Sequence, residues 1–295
     1  MRLDDLDPTE HARDLGSGGG GGGGFPLLGL LPLLFGRGMG CGGFVLIALV
    51  GLAYLAMSGG GGLLGGGSGT GQSPTAGKSG AAVCQQSPER LEACRVMASA
   101  DQTWETIFRS AGQRYSPATI SFFQGGTDTG CGSATSAVGP FYCPNDKGVY
   151  IDTAFFNELQ TRFGAKGDFA RIYVIAHEMG HHVQDLLGTT DRVSQSQARG
   201  SRTEGNRASV RLELQADCYA GVWAARNRDR LEPGDIEEGM TAANAIGDDT
   251  LQRQGQGEVV PDSFTHGTSA QRKQWLQRGL ESGDPAQCDT FSAGI

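Results

Sequence analysis

The spacing of apolar residues along the chain predicts several amphipathic helices. From Asp168 to Leu187 the apolar positions recur every three or four residues, as on a helix with one buried face: Ile172, Ile175, Met179, Val183 and Leu186. Asp168 is suited to cap the first turn and Gly188 the last. Gly180 costs this helix about 1 kcal/mol relative to alanine, which indicates that another backbone packs closely there.

Further helices and two short strands are predicted elsewhere. One stripe defines a second long helix: Leu212, Ala216, Tyr219 and Trp223. Ser87 and Pro88 mark the start of a helix that runs to about Ser110, and a break near Ser99 is left open. Two other helices are predicted at 235–246 and 269–278, and β-type runs at 119–123 and 149–152. Because helices outnumber strands, the predicted class is α+β, helix-rich with a small sheet.

The first third of the chain differs in composition. Most of the 49 glycines are concentrated there, so residues 1–38 are interpreted as a Gly-rich cytoplasmic segment. Residues 39–57 carry no charge and would measure about 28 Å as a helix, the length of one transmembrane span. Residues 58–83 are a Gly/Ser-rich tether, and residues 84–295 the folded domain.

Charge around the predicted span sets its orientation. Arg37 precedes the span, and no Lys or Arg follows it before Lys78, which favours a cytoplasmic N-terminus and a periplasmic or extracellular domain. The expected localisation is therefore the bacterial cell membrane, with the lipid bilayer contacted through residues 39–57. The alternative is a glycine-rich tail without defined topology.

Cysteine usage agrees with an oxidising compartment. Of 7 cysteines, Cys41 lies in the predicted span and six remain, for which 15 pairings exist. Proximity favours Cys84 with Cys94 and Cys131 with Cys143, which leaves Cys218 with Cys288. Buried free thiols are the alternative.

The net charge of −8 argues against a nucleic-acid partner, since no basic cluster is present to neutralise phosphates. Arg199, Arg202, Arg207 and Arg211 are spread among acidic residues and are interpreted as a solvated face or loop. The polar stretch from Thr189 to Arg207 that contains most of them is read as a surface connection or a rim over a cleft.

Residues 177–182 contain the pattern His-Glu-x-x-His within the first predicted helix. His177 and His181 lie one turn apart, so both imidazoles can donate a nitrogen to one tetrahedral zinc ion. Glu178 lies beside them, where a carboxylate can take a proton from a metal-bound water without being a ligand. Three of the 5 histidines of the chain lie in these six positions, which makes a chance match on a surface helix the weaker interpretation.

A catalytic zinc needs a third protein ligand and one open position. Glu213 and Asp217 lie four residues apart on the second predicted helix, beside its apolar stripe. We predict that Glu213 is the third ligand, and that Asp217 accepts the second ring N–H of a metal-binding histidine. The alternative is that both carboxylates lie on a solvated helix face.

These motifs, in this order, resemble the bacterial neutral zinc metallopeptidases, a membrane-anchored and gluzincin-like family. The resemblance rests on residues 177–184, 213–217 and 263–268, and it extends in character from about 85 to 287. It implies a zincin-like fold, peptidase activity, and the roles already assigned to the two carboxylates of the second helix.

The resemblance also implies a role for His266. The membrane prenyl-protein proteases, another gluzincin group, have a similar Thr-His before their last helix, and that histidine is thought to assist at the substrate oxyanion. Gly267 stands here where that group usually has proline, which puts the loop geometry in question. A structural histidine bonded to a neighbouring carbonyl is the alternative.

The predicted function is that of a membrane-anchored metalloendopeptidase with one Zn²⁺ per chain, which hydrolyses peptides or proteins through a zinc-bound water activated by Glu178. An extended substrate would pair with an edge strand, and Gly148 to Asp152 is the candidate, although an ordinary core strand is equally consistent. A catalytically inert, zinc-stabilised envelope binding or chaperone-like module is the alternative function. A zinc hydrolase for non-peptide amides is a third interpretation.

Overall fold

The computed structural model describes residues 1–17, 80–255 and 257–293. Their main sheet has the strand order β1-β2-β6-β5, formed by Ala12–Ser17, Thr119–Gln124, Gly148–Asp152 and Phe141–Cys143. β1, β2 and β6 are parallel, and β5 is antiparallel to β6. A separate hairpin consists of β3, Gly126–Thr129, and β4, Gly132–Thr135.

Helices make up most of the described chain, which agrees with the predicted α+β class. They are α1 Ala81–Cys84, α2 Pro88–Ser110, α3 Ala154–Thr161, α4 Asp168–Leu186, α5 Thr189–Arg199, α6 Arg202–Arg226, α7 Asp235–Ala245, α8 Asp248–Gly255 and α9 Ser269–Ser282. Short 3₁₀ turns lie at Ser136–Val138, Arg228–Arg230, Pro261–Ser263 and Pro285–Cys288.

The core surrounds α4, which packs against α2, α6 and α7. The predicted stripe is buried as expected, since Ile172, Ile175, Met179 and Val183 are each at most 1% exposed. α6 then packs against α9 on its other flank. The metal-binding motif is therefore held in the most crowded part of the molecule, where side-chain packing restricts its motion.

Two glycine contacts set the distances between these helices. A Cβ on Gly180 would lie 2.9 Å from both the Cα and the carbonyl oxygen of Ala216, so α4 and α6 are in backbone contact. This confirms the close approach predicted from the helix-disfavouring Gly180. A Cβ on Gly279 of α9 would lie 1.9 Å from the carbonyl oxygen of Cys218, and only glycine fits there.

The helix predictions are largely confirmed. The Ser87 hydroxyl accepts a hydrogen bond from the backbone N–H of Arg90, and α2 then continues without a break at Ser99. The stretch from Thr189 to Arg207, however, is mostly helical, as α5 and the first turns of α6. α5 is strongly polar and buries only Thr189 and Val193, so it has too few apolar residues to mark a buried face in the sequence.

The edge-strand prediction for Gly148–Asp152 is wrong. β6 pairs with β2 on one side and with β5 on the other, and all five of its residues are buried. A strand with two neighbours has no free main-chain edge for a peptide. The edges of this sheet are β1 and β5.

Residues 1–17 pack into the same compact unit as residues 80–293, which the composition did not indicate. β1 pairs with β2 from Ala12 opposite Ile120 onward. The Asp14 carboxylate lies 3.1 Å from the Arg90 guanidinium, and the Met1 and Leu3 side chains are buried. The segment assigned to a separate cytoplasmic region therefore contributes a strand and two core residues to the domain.

The predicted localisation is wrong. It placed residues 1–38 and residues 84–295 on opposite sides of a membrane, whereas β1 and β2 are hydrogen-bonded neighbours in one sheet. Within the described ranges, no helix is both long and apolar enough to cross a bilayer. The predicted span, residues 39–57, and the bilayer contact assigned to it lie outside the described residues, as does most of the predicted tether.

All three predicted disulfides are present. They join Cys84 to Cys94, Cys131 to Cys143 and Cys218 to Cys288, with Cα–Cα distances of 5.9, 5.8 and 5.6 Å. The last bond fastens α6 to the segment that follows α9. Cys41 lies outside the described residues.

Candidate metal centre

α4 and α6 bring the three predicted metal ligands together. One ligand atom from each of His177, His181 and Glu213 lies within 4.8 Å of the other two. The Nε2 atom of His177 is 3.1 Å from one carboxylate oxygen of Glu213, and the Nε2 atom of His181 is 3.4 Å from the other. Both imidazoles therefore present Nε2 toward the same carboxylate.

These distances fit a zinc ion. Ligand atoms on a tetrahedral ion with bonds of about 2.0–2.1 Å lie about 3.4 Å apart, close to the two separations observed. Two imidazoles and one carboxylate are also a donor set typical of catalytic zinc, which leaves a fourth position for water or substrate. The chain can thus hold zinc here with little movement of the three side chains.

The other ring nitrogen of each histidine is held by an outer partner. His177 Nδ1 lies 2.8 Å from Asp217, as predicted, and His181 Nδ1 lies 2.8 Å from the Gln184 side-chain oxygen. The Gln184 amide nitrogen donates to the Leu212 carbonyl at 2.7 Å, which directs its oxygen toward His181. In the neutral imidazoles, Nδ1 is then the protonated nitrogen, and the Nε2 lone pair faces the position proposed for the metal.

Asp217 is anchored by two residues that sequence analysis missed. Arg272, which is 2% exposed, donates through Nε and NH2 to the two carboxylate oxygens, each at 2.9 Å. The Tyr173 hydroxyl donates to the same carboxylate at 2.5 Å. Burial alone would raise the pKa of Asp217, but the charges of Arg272 and His177 outweigh burial and hold the pKa below its usual range.

The pKa values of the proposed ligands are shifted by their neighbours. Burial would lower the pKa of His177, but the charge of Asp217 and hydrogen bonds to Asp217 and Glu213 outweigh burial and raise the pKa to about 10. Burial would raise the pKa of Glu213, but the charge of His181 and the hydrogen bonds to His177 and His181 outweigh burial and hold the pKa well below its usual range. Zinc must therefore compete with a proton for His177, and its binding should release that proton.

Glu178 lies beside the ligands without being one of them. Its side chain is 6% exposed, and no residue in the described part of the chain forms a hydrogen bond with its carboxylate. Burial raises the pKa of Glu178, although the neighbouring His181 and His177 oppose the shift. A carboxylate that is buried yet not bonded to protein is available to exchange a proton with a small molecule in the site.

His182, the third histidine of the motif, is not part of the centre. Its Nε2 lies 2.7 Å from the Ser116 carbonyl oxygen, and its Nδ1 lies 3.0 Å from the Tyr142 hydroxyl of β5. The Tyr142 hydroxyl also bonds to Asp185 at 2.9 Å. His182 therefore fastens α4 to the edge of the sheet.

His266 lies on a loop held by Asp248. The Asp248 carboxylate accepts backbone hydrogen bonds from Thr265, His266 and Gly267, and lies 3.2 Å from His266 Nδ1. The imidazole is 43% exposed. Burial lowers the pKa of His266, but Asp248 and the charge of Glu213 outweigh burial and raise it. His266 is therefore close enough to Glu213 for that charge to act on it.

The geometry brings together two histidines and one glutamate that could hold a metal ion, with a free carboxylate beside them. The chain belongs to the family described as "Putative neutral zinc metallopeptidase", whose sequence model matches residues 3–291. The family predicted from the three motifs is thus confirmed.

Relatives extend over most of the chain. Uncharacterized protein YpfJ of Escherichia coli (strain K12) is 52% identical over 215 residues, which are 71% of this chain and 75% of that protein. Uncharacterized protein Rv2575 of Mycobacterium tuberculosis (strain ATCC 25618 / H37Rv) is 46% identical over 220 residues, 69% and 72% of the two chains. No solved structure matches the chain, so the zincin-like relationship of the fold remains a prediction.

Proposed function

We propose that this protein is a zinc-dependent metalloendopeptidase that holds one zinc ion through His177, His181 and Glu213. The observation that carries the proposal is the position of Glu178, buried beside three convergent ligands and bonded to none of its described neighbours. A purely structural zinc site has a fourth protein ligand instead. When bound, zinc supplies Lewis-acid chemistry to this position.

The residues of the chain account for the proton transfers. Glu178 takes a proton from the attacking water, because its raised pKa makes it a stronger base than an exposed glutamate. It then passes the proton to the amine that leaves the cleaved peptide. His266 donates a hydrogen bond to the oxyanion, for which Asp248 orients its ring. Asp217 and Arg272 keep His177 in the ligand orientation.

The test separates metal binding from catalysis. Glu178→Gln should retain one zinc per chain while peptide hydrolysis falls by several orders of magnitude, because the amide cannot accept the proton. Glu213→Ala should lose most of the zinc. Glu237→Gln, which alters an exposed acid on α7, is the control for a changed charge. Zinc content measured by atomic spectroscopy and cleavage of a mixed peptide library give the two readouts.

Normal cleavage by Glu178→Gln at full zinc content would exclude this mechanism. Zinc binding without cleavage of any library peptide by the unmodified protein would favour the inert binding module instead.

A further inference from the structure

A cavity lies away from the candidate metal centre. It has a volume of about 700 Å³ and opens between α5, α6 and the segment that follows α9. Arg192 of α5 and Arg207, Arg211 and Tyr219 of α6 contribute to its wall. Sites for small organic molecules commonly have volumes of about 300–1,000 Å³, so this cavity is large enough for one.

The cavity and the metal centre occupy opposite faces of α6. At about 100° per residue, Arg207, Arg211 and Gln215 fall on one side of this helix, whereas Glu213 and Asp217 project on average about 140° away. The cavity is therefore not a pocket of the proposed peptide cleft. Besides the helix, one hydrogen-bond chain connects the two: Gln215 of the cavity wall bonds to Gln184, which bonds to His181.

The wall of the cavity carries three arginines and two carboxylates, Glu204 and Asp289. Within the described chain, none of Arg192, Arg207 and Arg211 forms a salt bridge: Arg192 donates to the Thr189 hydroxyl at 3.0 Å, and Arg211 donates to the Thr290 carbonyl at 2.6 Å.

The two carboxylates accept backbone hydrogen bonds through one oxygen each. Glu204 accepts from the backbone N–H of Ser201 at 2.7 Å, and Asp289 accepts from those of Phe291 and Ser292, each at 3.0 Å. Three arginines against two carboxylates leave the cavity wall with a net positive charge that favours an anion from outside the chain.

Tyr219 adds an independent observation. The residue is 5% exposed and lines the cavity, yet its hydroxyl has no hydrogen-bond partner among the residues described. Burial is the main cause that raises the pKa of Tyr219 to about 12. The charge of Asp289 also raises this pKa, and the charge of Arg192 lowers it. The hydroxyl is therefore a protonated donor close to Arg192. The hydroxyl lines the cavity and is free to bond with a ligand there.

We propose that this cavity binds a small organic oxyanion, a carboxylate or phosphate joined to an apolar group of about the size of a ring. Arg192, Arg207 and the Tyr219 hydroxyl hold the oxyanion, because planar guanidinium groups match the oxygen pairs of carboxylates and phosphates. Val193, Ala208 and Phe291 line the same space and contact the apolar group. Arg207, which the sequence assigned to a solvated face or loop, is therefore a member of the proposed binding site.

Calorimetric titration of the full-length, zinc-loaded protein tests this proposal. N-acetylphenylalanine and phenyl phosphate are the probes, and N-acetylphenylalaninamide is the uncharged control of nearly equal shape. At least one of the two oxyanions should bind, and the amide at least about 10-fold more weakly, since it cannot form charge-assisted hydrogen bonds. The preferred probe then identifies the oxyanion class.

Variants locate the binding. Arg192→Gln with Arg207→Gln should weaken binding of the preferred probe at least about 10-fold, and Tyr219→Phe should also weaken it. Arg199→Gln with Arg202→Gln removes the same charge from α5 and α6 outside the cavity and should leave binding within about twofold.

Three results would overturn the proposal: binding of neither oxyanion at millimolar concentration, equal binding of acid and amide, or equal weakening in both double variants. Binding is measured without substrate cleavage, so a failure of the proposed peptidase function would leave this test intact.

Discussion

At the scale of single residues, the metal centre depends on an arginine that never touches the metal. Arg272 donates to both oxygens of Asp217, and Asp217 bonds to His177. Because Asp217 is fully buried, its charge would be unfavourable without that guanidinium. Arg272 is therefore a positioning residue for the ligand set.

Replacing Arg272 by lysine should expose this dependence. A lysine ammonium cannot form two parallel bonds with the carboxylate, so Asp217 should shift and zinc affinity should fall about 10 to 100-fold. Asp217→Asn should cause a similar loss, and the double variant little more, because both changes act on the same interaction. Competition against graded chelators measures the affinity, with Arg278→Lys on the same helix as the control. An unchanged affinity in Arg272→Lys would contradict this role.

His266 can be tested through kinetics. Asp248 holds the backbone of the loop, so His266→Ala should leave the loop, the zinc content and the melting temperature nearly unchanged. If the imidazole acts only on the oxyanion, turnover should fall about 100-fold at a similar KM. Steady-state kinetics and thermal unfolding of the same preparation decide this. A lowered melting temperature with activity recovered in the cold would instead indicate a structural histidine.

Asp101 on α2 should make stability depend on pH. Burial raises the pKa of Asp101 to about 7, although the Tyr115 hydroxyl, which donates to it at 2.6 Å, opposes the shift. The folded protein therefore binds this proton more tightly than the unfolded chain, and stability should fall as pH rises from about 4 to 7. Asp101→Asn keeps an acceptor for Tyr115 and should raise the melting temperature at pH 8 more than at pH 5. The exposed Asp191→Asn is the control, and an equal effect at both pH values would exclude Asp101 as the cause.

Local spacing explains which site residues the sequence could reveal. His177 and His181 are one helical turn apart, and Glu213 and Asp217 repeat that spacing on another helix, so each pair carries its own signal. Tyr173 lies one turn before His177 and shares its face, so the same reasoning could have found it. Arg272 could not be found in this way, because a single arginine 55 residues from Asp217 has no local pattern.

At the scale of helices, the contact between α4 and α6 decides whether Glu213 reaches the two histidines. Gly180 and Ala216 lie at this contact, between the ligands of the two helices. Gly180→Ala should force the helices apart, since the new Cβ would lie 2.9 Å from the Ala216 backbone. We expect lower stability together with weaker zinc binding.

Gly205→Ala provides the matched control for that variant. Gly205 also lies inside a helix, α6, but its Cβ would be no closer than 3.5 Å to Gln197, which is an ordinary contact. The alanine should therefore stabilise the protein by about 0.5–1 kcal/mol through helix propensity. Thermal unfolding and chelator competition on both variants give the comparison. Stabilisation of the protein by Gly180→Ala would show that the helices are not in tight contact.

Elements with regular apolar spacing were predictable, and polar ones were not. α4 and α6 follow from their apolar stripes, whereas α5 and α8 are strongly polar and bury few residues, so they offer little apolar sequence from which to predict a helix. β1 reads Ala-Arg-Asp-Leu-Gly-Ser, in which only Ala12 is buried, so its assignment depends on a partner strand more than 100 residues away. Parallel pairing of that kind is invisible to local pattern analysis.

At the scale of the whole molecule, α6 connects most of the features described above. It supplies Glu213 and Asp217 to the metal centre, the cavity wall on its opposite face, and Cys218 to the disulfide with Cys288. Gln215 lines the cavity and bonds to Gln184, which in turn bonds to His181. One helix therefore carries a proposed metal ligand on one face and part of the proposed oxyanion site on another.

The position of β1 has a consequence for how the polypeptide could be divided. Residues 1–17 contact the rest of the domain through strand pairing, the buried Leu3 and ion pairs such as Asp14 with Arg90 and Asp4 with Arg95. These are the interactions by which a free peptide binds a sheet edge. Two separate fragments of the protein, residues 1–17 and residues 80–295, should therefore bind each other. A chain of residues 80–295 should gain thermal stability when a synthetic peptide of residues 1–17 is added, and less when that peptide carries Asp14→Lys, which would face Arg90 with a like charge. A melting temperature indifferent to both peptides would mean that the strand needs its covalent connection to remain in place.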